Sequence, residues 1–157
     1  MYIGFEAAFM DAQSKNVALC LELLNNNNIE VDEIYIYMFQ NKFQDFYNAF
    51  FRKQDKLLVL NQLFSEEDID EFTDLGIEDI ENIISICLQY EANCPHEIKL
   101  RYNVKANSLN AEYEYEDFLN DEGGLVKRFE KWFQEIRACL INRSHLYHFN
   151  KIAIEAT

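Results

Sequence analysis

Apolar and polar positions along the chain follow two periods, and the changes of period mark the elements. From Phe5 to Leu24, the residues Phe5, Phe9, Ala12, Leu19 and Leu23, joined by Ala8, Cys20 and Leu24, fall near one face of a helix, with Asn16 interrupting the stripe. The run Asn25-Asn26-Asn27-Asn28 stops that helix, because Asn competes for backbone hydrogen bonds and tolerates left-handed geometry. The period then becomes two. In Asp32 to Phe39, Ile34, Ile36 and Met38 share one face and Tyr35, Tyr37 and Phe39 the other, which predicts a central strand covered on both sides. A turn at Asn41-Lys42 leads to a second strand, Phe43 to Arg52, and Leu57 to Leu60 predicts a short third one.

Ser65, with Asp68 three residues on, has the pattern of a helix N-cap. A short helix or turn carrying Ile69, Phe72 and Leu75 is expected to end at Gly76, followed by a stronger helix over about 77–91 with Ile77, Ile80, Ile84, Cys87 and Leu88 inward. Ile98, Leu100, Tyr102 and Val104 then alternate with polar residues, as do Leu109, Ala111, Tyr113 and Tyr115. A two-residue loop at Ala106-Asn107 would set Val104 opposite Leu109, Leu100 opposite Tyr113 and Ile98 opposite Tyr115. It would also pair Arg101 with Glu112 and Lys99 with Glu114. After Asp121-Glu122-Gly123-Gly124, a last helix carries Leu125, Phe129, Trp132, Phe133, Ile136, Cys139 and Leu140, with Lys127, Arg128, Lys131 and Arg137 outside. Beyond Arg143 no firm period remains, and Ile152 and Ile154 are read as a short docked strand or a frayed end.

This order predicts an α+β single domain over residues 1–157. It has an N-terminal helix, an antiparallel sheet of about four to five strands that includes the hairpin at about 97–117, and packed helices at about 77–91 and 124–142. At 49% hydrophobic residues the chain has enough apolar surface to form a core, and no apolar run is long enough to span a bilayer. The N-terminus lacks a basic region before its apolar residues, so no signal peptide and a cytoplasmic location are expected. Cys20, Cys87, Cys94 and Cys139 contain no Cys-x-x-Cys and read as reduced thiols.

Charge changes the picture most. The net charge is −14, and it is concentrated between residues 61 and 122, where 17 acids face 3 bases. Such a field disfavours nucleic acid and anionic membranes as partners and favours basic ones. The densest part holds Glu66, Glu67, Asp68, Asp70, Glu71, Asp74, Glu78, Asp79 and Glu81, nine acids in sixteen positions with no base. Two readings compete: a surface that meets a basic cleft, such as the nucleic-acid channel of a nuclease, and a solvated helix entry that uses acids for caps and dipole.

Catalytic chemistry finds little to stand on. Cys94 and His96 flank Pro95 and point differently, and no glycine-rich nucleophile turn or phosphate loop occurs. His145 and His148 could share a helical face, but no further His or Cys pair completes a tetrahedral metal set. An EF-hand reading of Asp68, Asp70 and Asp74 fails, because Phe72 occupies a ligand position. No enzyme activity, cofactor or resident metal is expected.

The segment Val31-Asp32-Glu33-Ile34-Tyr35-Ile36-Tyr37, the 77–91 helix, Glu97-Ile98-Lys99-Leu100-Arg101-Tyr102 and Glu112-Tyr113-Glu114-Tyr115-Glu116-Asp117 together resemble the YezG-like antitoxin family. The resemblance runs over about residues 10–141 in element order and is closest in residues at 113–117. The family pattern has a Trp just before the hairpin, where this chain has Cys94-Pro95-His96. The resemblance implies a bacterial immunity protein without catalytic residues, whose partner is a cognate toxin domain, often a nuclease; that the partner's surface is basic is expected from the acidic charge. The alternatives are a carboxylate-rich metal-dependent enzyme and an acidic adaptor or structural subunit.

Overall fold

The computed structural model describes residues 2–117 and 124–156, with side chains described for 4–117 and 124–143. Helix α1 (Tyr2–Asn26) is followed by strands β1 (Glu33–Gln40), β2 (Asp45–Lys53) and β3 (Lys56–Val59), a one-turn helix α2 (Leu60–Leu63) and the long helix α3 (Glu66–Gln89). Strands β4 (Glu97–Asn103) and β5 (Ser108–Glu114) and helix α4 (Gly124–Ala156) complete the order. The fold is α+β, with one five-stranded antiparallel sheet in the order β3-β2-β1-β4-β5.

The alternation in β1 places it as read, in the middle of the sheet and covered on both faces. Ile34, Ile36 and Met38 join Tyr47, Ala49, Phe51, Ile98 and Leu100 under α1 and α3. Tyr35, Tyr37 and Phe39 join Phe50 under Leu125, Phe129 and Trp132 of α4. The result is three layers, with two helices on one face of the sheet and one on the other. The second layer is built of rings: Tyr35 stacks on Phe50 at 4.5 Å, and Trp132 meets Phe50 edge-on at 5.1 Å.

The Asn run ends α1 as its chemistry predicts. Asn28 takes a left-handed φ of 55°, and the Ile29 amide donates back to the Leu24 carbonyl at 2.9 Å. Ser65 caps α3, its hydroxyl accepting from the Asp68 amide at 3.2 Å.

Several expectations are corrected. Gly76 does not end a helix: α3 runs unbroken through it, so the short 66–75 element and the 77–91 helix are one. A Cβ built on Gly76 would lie 2.3 Å from Cδ1 of the Tyr47 ring, so the glycine serves close helix–sheet approach instead of a chain break. Leu88, expected inside, is 74% exposed, and Ile83 takes its place in the core.

Asn16 does not interrupt the α1 stripe. It is fully buried and hydrogen-bonded, so a polar residue occupies a core position. The hairpin is shifted by two residues from the expected register: Ile98 faces Tyr113, Leu100 faces Ala111 and Tyr102 faces Leu109. Its loop is four residues long because the Asn103 carboxamide accepts from the Ala106 amide and Asn107 takes φ 50°. Lys99 therefore faces Glu112, and Arg101 faces Asn110 instead of Glu112.

In α4, Cys139 is exposed and Arg128 turns inward to a carboxylate. The backbone stays helical to Ala156, which removes the strand reading of Ile152 and Ile154. Residues 121–123 and the side chains of His145 and His148 lie outside the described residues.

Candidate partner-binding surface

All nine acids of the 66–81 segment lie on α3. Because α3 is continuous, Glu67, Glu71, Asp74, Glu78 and Glu81 follow one another at steps of four and three residues, which stacks them on one helical face. All five are exposed, and the stripe runs for about 21 Å at the helical rise. Glu66 and Asp70 are also exposed. None of the seven enters a salt bridge among the described residues.

The other two acids are placed differently. Asp68 is half-buried at the capped first turn. Asp79 points toward α1, where its Oδ2 accepts from the buried Asn16 carboxamide at 2.7 Å. Asn16 Oδ1 in turn accepts from the Tyr47 hydroxyl at 2.8 Å, so a hydrogen-bonded chain ties α3 through α1 to β2. Burial pushes the Asp79 carboxyl up, with the Asn16 hydrogen bond and the charge of Lys15 opposing.

The acidic field reaches past α3. Asp45, at the start of β2, has its pKa raised by burial and by the charge of Glu81. No local pattern could have grouped these two, because the fold alone brings β2 beside α3.

An open groove of about 670 Å³ lies between α4 and the β2–β3 side of the sheet, and it reaches α3 only at Ile69, on the side of the helix away from the stripe. Phe46, Val59, Val126, Phe129 and Phe133 supply apolar lining, with Asn48, Asn61, Glu130 and Gln134 among the polar lining residues. Val126 is 58% exposed. The groove went unread in sequence because its residues come from five elements.

Two carboxylates that the sequence did not single out are the most enclosed charges. Glu33 Oε2 accepts from Arg101 Nε at 2.6 Å and its Oε1 from Arg52 Nη2 at 2.9 Å, with the Tyr35 hydroxyl at 3.0 Å. Glu97 accepts from Arg128 Nε at 2.8 Å and Nη2 at 3.1 Å, and from the Tyr37 hydroxyl. Burial acts to raise both carboxyls, but the hydrogen bonds from arginine and tyrosine outweigh it and hold them below the usual range. They are locked anions that hold the sheet and α4 together, the opposite of a poised general acid. Acidic residues entering an otherwise apolar strand face, at the first position of β1 and of β4, are the sequence signal for them.

Cys94 and His96 each have a partner of their own. His96 Nδ1 lies 2.8 Å from the Gln40 carbonyl oxygen, while burial and the neighbouring Cys87 thiol push the Cys94 thiol up to about 12. Among the described residues no three His, Cys, Asp or Glu side chains converge as a metal site. No described helix is long and apolar enough to cross a membrane. No family model matches the chain, and no curated protein matches it.

Proposed function

We propose that this chain is an immunity protein that neutralises a cognate bacterial toxin, of the nuclease kind, by laying the acidic face of α3 on the toxin's basic surface. The observation that carries the reading is the unbroken stripe Glu67, Glu71, Asp74, Glu78 and Glu81, exposed and without cationic partners among the described residues. A surface that binds nucleic acid is basic, so an acidic stripe competes for it directly and speeds encounter. The resemblance to YezG-like antitoxins points the same way, and the proposal includes a cytoplasmic location, where an incoming nuclease acts.

The test begins with capture of the partner from the source lysate at low salt and its release at high salt. The captured protein is then assayed for cleavage of DNA and RNA with and without one equivalent of this chain. Suppression by the wild type, lost in the Glu67→Lys/Glu71→Lys/Glu78→Lys variant, supports the reading. A partner whose activity is unchanged by the wild type, or a triple variant that inhibits as well as the wild type, rejects it.

A further inference from the structure

Between α1 and α3 lies a second, smaller groove of about 230 Å³, and its α3 wall includes Glu71 of the stripe itself. Leu19 and Leu23 of α1 face Phe72 and Leu75 of α3 across it. Leu75, one turn after Glu71, is 41% exposed, so part of this apolar surface is left in solvent at the border of the stripe. The volume is below the roughly 300–1,000 Å³ of sites that enclose small-molecule ligands, and it suits one inserted side chain.

Charge decides which side chain. Glu22 lines the groove from α1, and Asp68 and Glu71 line it from α3, while no Lys or Arg does. Among the described residues no hydrogen bond or salt bridge uses the carboxylate oxygens of these three acids. The only Lys or Arg on either helix is Lys15, about two turns before Glu22, where its charge acts on Asp79. An apolar side chain entering the groove would desolvate carboxylates without answering them. A cation on a long apolar stem meets both features, with its methylenes against the leucines and its head among the acids. Arginine fits better than lysine. Its guanidinium is weakly hydrated, tolerates apolar walls and offers a fork of donors to carboxylates on both sides, whereas an ammonium is a strongly hydrated point charge. The chain's own net charge of −14 opposes a second copy as the source of that arginine.

We infer that the α1–α3 groove is an arginine pocket: one Arg of the partner's basic surface inserts between Leu23 and Leu75, its guanidinium held by Glu22, Asp68 and Glu71, while neighbouring bases cover the rest of the stripe. This rests on the proposed immunity reading and adds the point at which the stripe selects among basic surfaces. Open charges mainly set the on-rate, and an enclosed, hydrogen-bonded charge pair fixes the register and slows dissociation.

The experiment uses the full chain with labelled amides and leucine methyls and two synthetic peptides of equal charge. One has the sequence Lys-Lys-Gly-Arg-Gly-Lys-Lys, and the other replaces its Arg by Lys. Both peptides should shift the amides of Asp74 and Glu78 on the stripe. The Arg peptide is expected to shift the methyl signals of Leu19, Leu23 and Leu75 as well, and to bind about fivefold more tightly than the all-Lys peptide. Glu22→Gln and Leu75→Asn, both at exposed positions off the acidic row, should each cut that preference to about twofold or less and keep the stripe shifts. Equal affinity of the two peptides for the wild type, with the stripe shifted, overturns the arginine pocket alone. Failure of both peptides to shift the stripe overturns the pocket together with the acidic-face reading on which it rests. An Arg preference unchanged in both variants also overturns the pocket, by placing the arginine elsewhere.

Discussion

Replacing Gly76 by Ala tests whether α3 is held close to the sheet by the missing side chain. In an ordinary helix interior the change stabilises by about 0.5–1 kcal/mol, because Gly carries the larger backbone entropy. Here the new methyl would sit 2.3 to 2.5 Å from three atoms of the Tyr47 ring, against an ordinary carbon contact of about 3.5–4 Å. The ring has little room to retreat. Tyr47 is 5% exposed, its hydroxyl is held by Asn16, and its edge packs on Phe72 at 5.2 Å between centroids. Relief therefore requires moving α3 or giving up the Asn16 hydrogen bond, and overpacking of this kind costs about 1–3 kcal/mol before the lost hydrogen bond is counted. A net destabilisation of about 2 kcal/mol is expected, read as a lower urea midpoint at unchanged m-value. The decisive control is Tyr47→Ala, which removes all three ring atoms that the new methyl would meet. In that background the clash is absent, so Gly76→Ala should become neutral or stabilising by up to about 1 kcal/mol, giving a coupling of about 2 kcal/mol or more across the double-mutant cycle. Equal effects of Gly76→Ala in both backgrounds would falsify the close-approach argument.

Three further outcomes follow from the charged groups. Arg128→Ala leaves the buried Glu97 carboxylate without its bidentate partner and should destabilise by about 3 kcal/mol, measured by urea unfolding at pH 7. Glu33 and Glu97 have folded pKa values below their unfolded ones, so their contribution is present above the unfolded carboxylate range and lost as pH falls through the folded values. Trp132, the single tryptophan, reports the docking of α4 and should shift its emission to the red in that acid window, at a higher pH in Arg128→Ala than in the wild type. Asp79 has the opposite sign. Its folded pKa is raised, so the folded state binds its proton more tightly than the unfolded chain does, and the stability this gives at low pH is lost as pH rises through the folded value. Asp79→Asn keeps an acceptor for Asn16 and should raise the urea midpoint at pH 7, with the difference shrinking as pH falls toward 4; a difference that grows on acidification would reverse the assignment.

What could be read from sequence and what could not divide along physical lines. The face assignments of β1 were legible, because burial imposes a period of two on Ile34 to Phe39, and the 3.6 period held for most helical positions but not for Leu75, Leu88 and Cys139, which were expected inside and are exposed. The hairpin register was not. A shift of one residue would have exposed the core face, but a shift of two preserves every face and nearly every type of pairing, so alternation cannot distinguish them. The choice was made by Asn103 and Asn107, whose side chain and left-handed backbone build a four-residue loop. Asn16 and Gly76 were misread for one shared reason: each breaks a local rule to satisfy a tertiary contact, and both contacts are with Tyr47. The acids of the candidate site were visible as a composition, but their alignment was hidden by cutting α3 at Gly76.

That alignment bears on whether the acids serve the fold. Glu66, Glu67 and Asp68 lie in the first turn of α3, where the helix dipole favours them. Asp74, Glu78 and Glu81 lie in the body of the helix, where it does not. The pairs Glu67–Glu71, Glu71–Asp74, Asp74–Glu78 and Glu78–Glu81 sit at helical-neighbour spacing, and a like-charge pair at such spacing costs a few tenths of a kcal/mol. With no Lys or Arg on α3 from 66 to 89, nothing on the helix offsets that repulsion. Neutralising Glu71→Gln and Glu78→Gln together should therefore raise the thermal midpoint at low ionic strength, and the gain should fade in 1 M NaCl, where exposed charges are screened within about 3 Å. The same two substitutions should slow association with a basic partner. Loss of stability on neutralisation would mean that the acids hold the fold through contacts of their own, and the stripe would no longer need a partner to explain it. A gain in stability with a loss of binding identifies the stripe as a surface kept against the interest of the isolated fold.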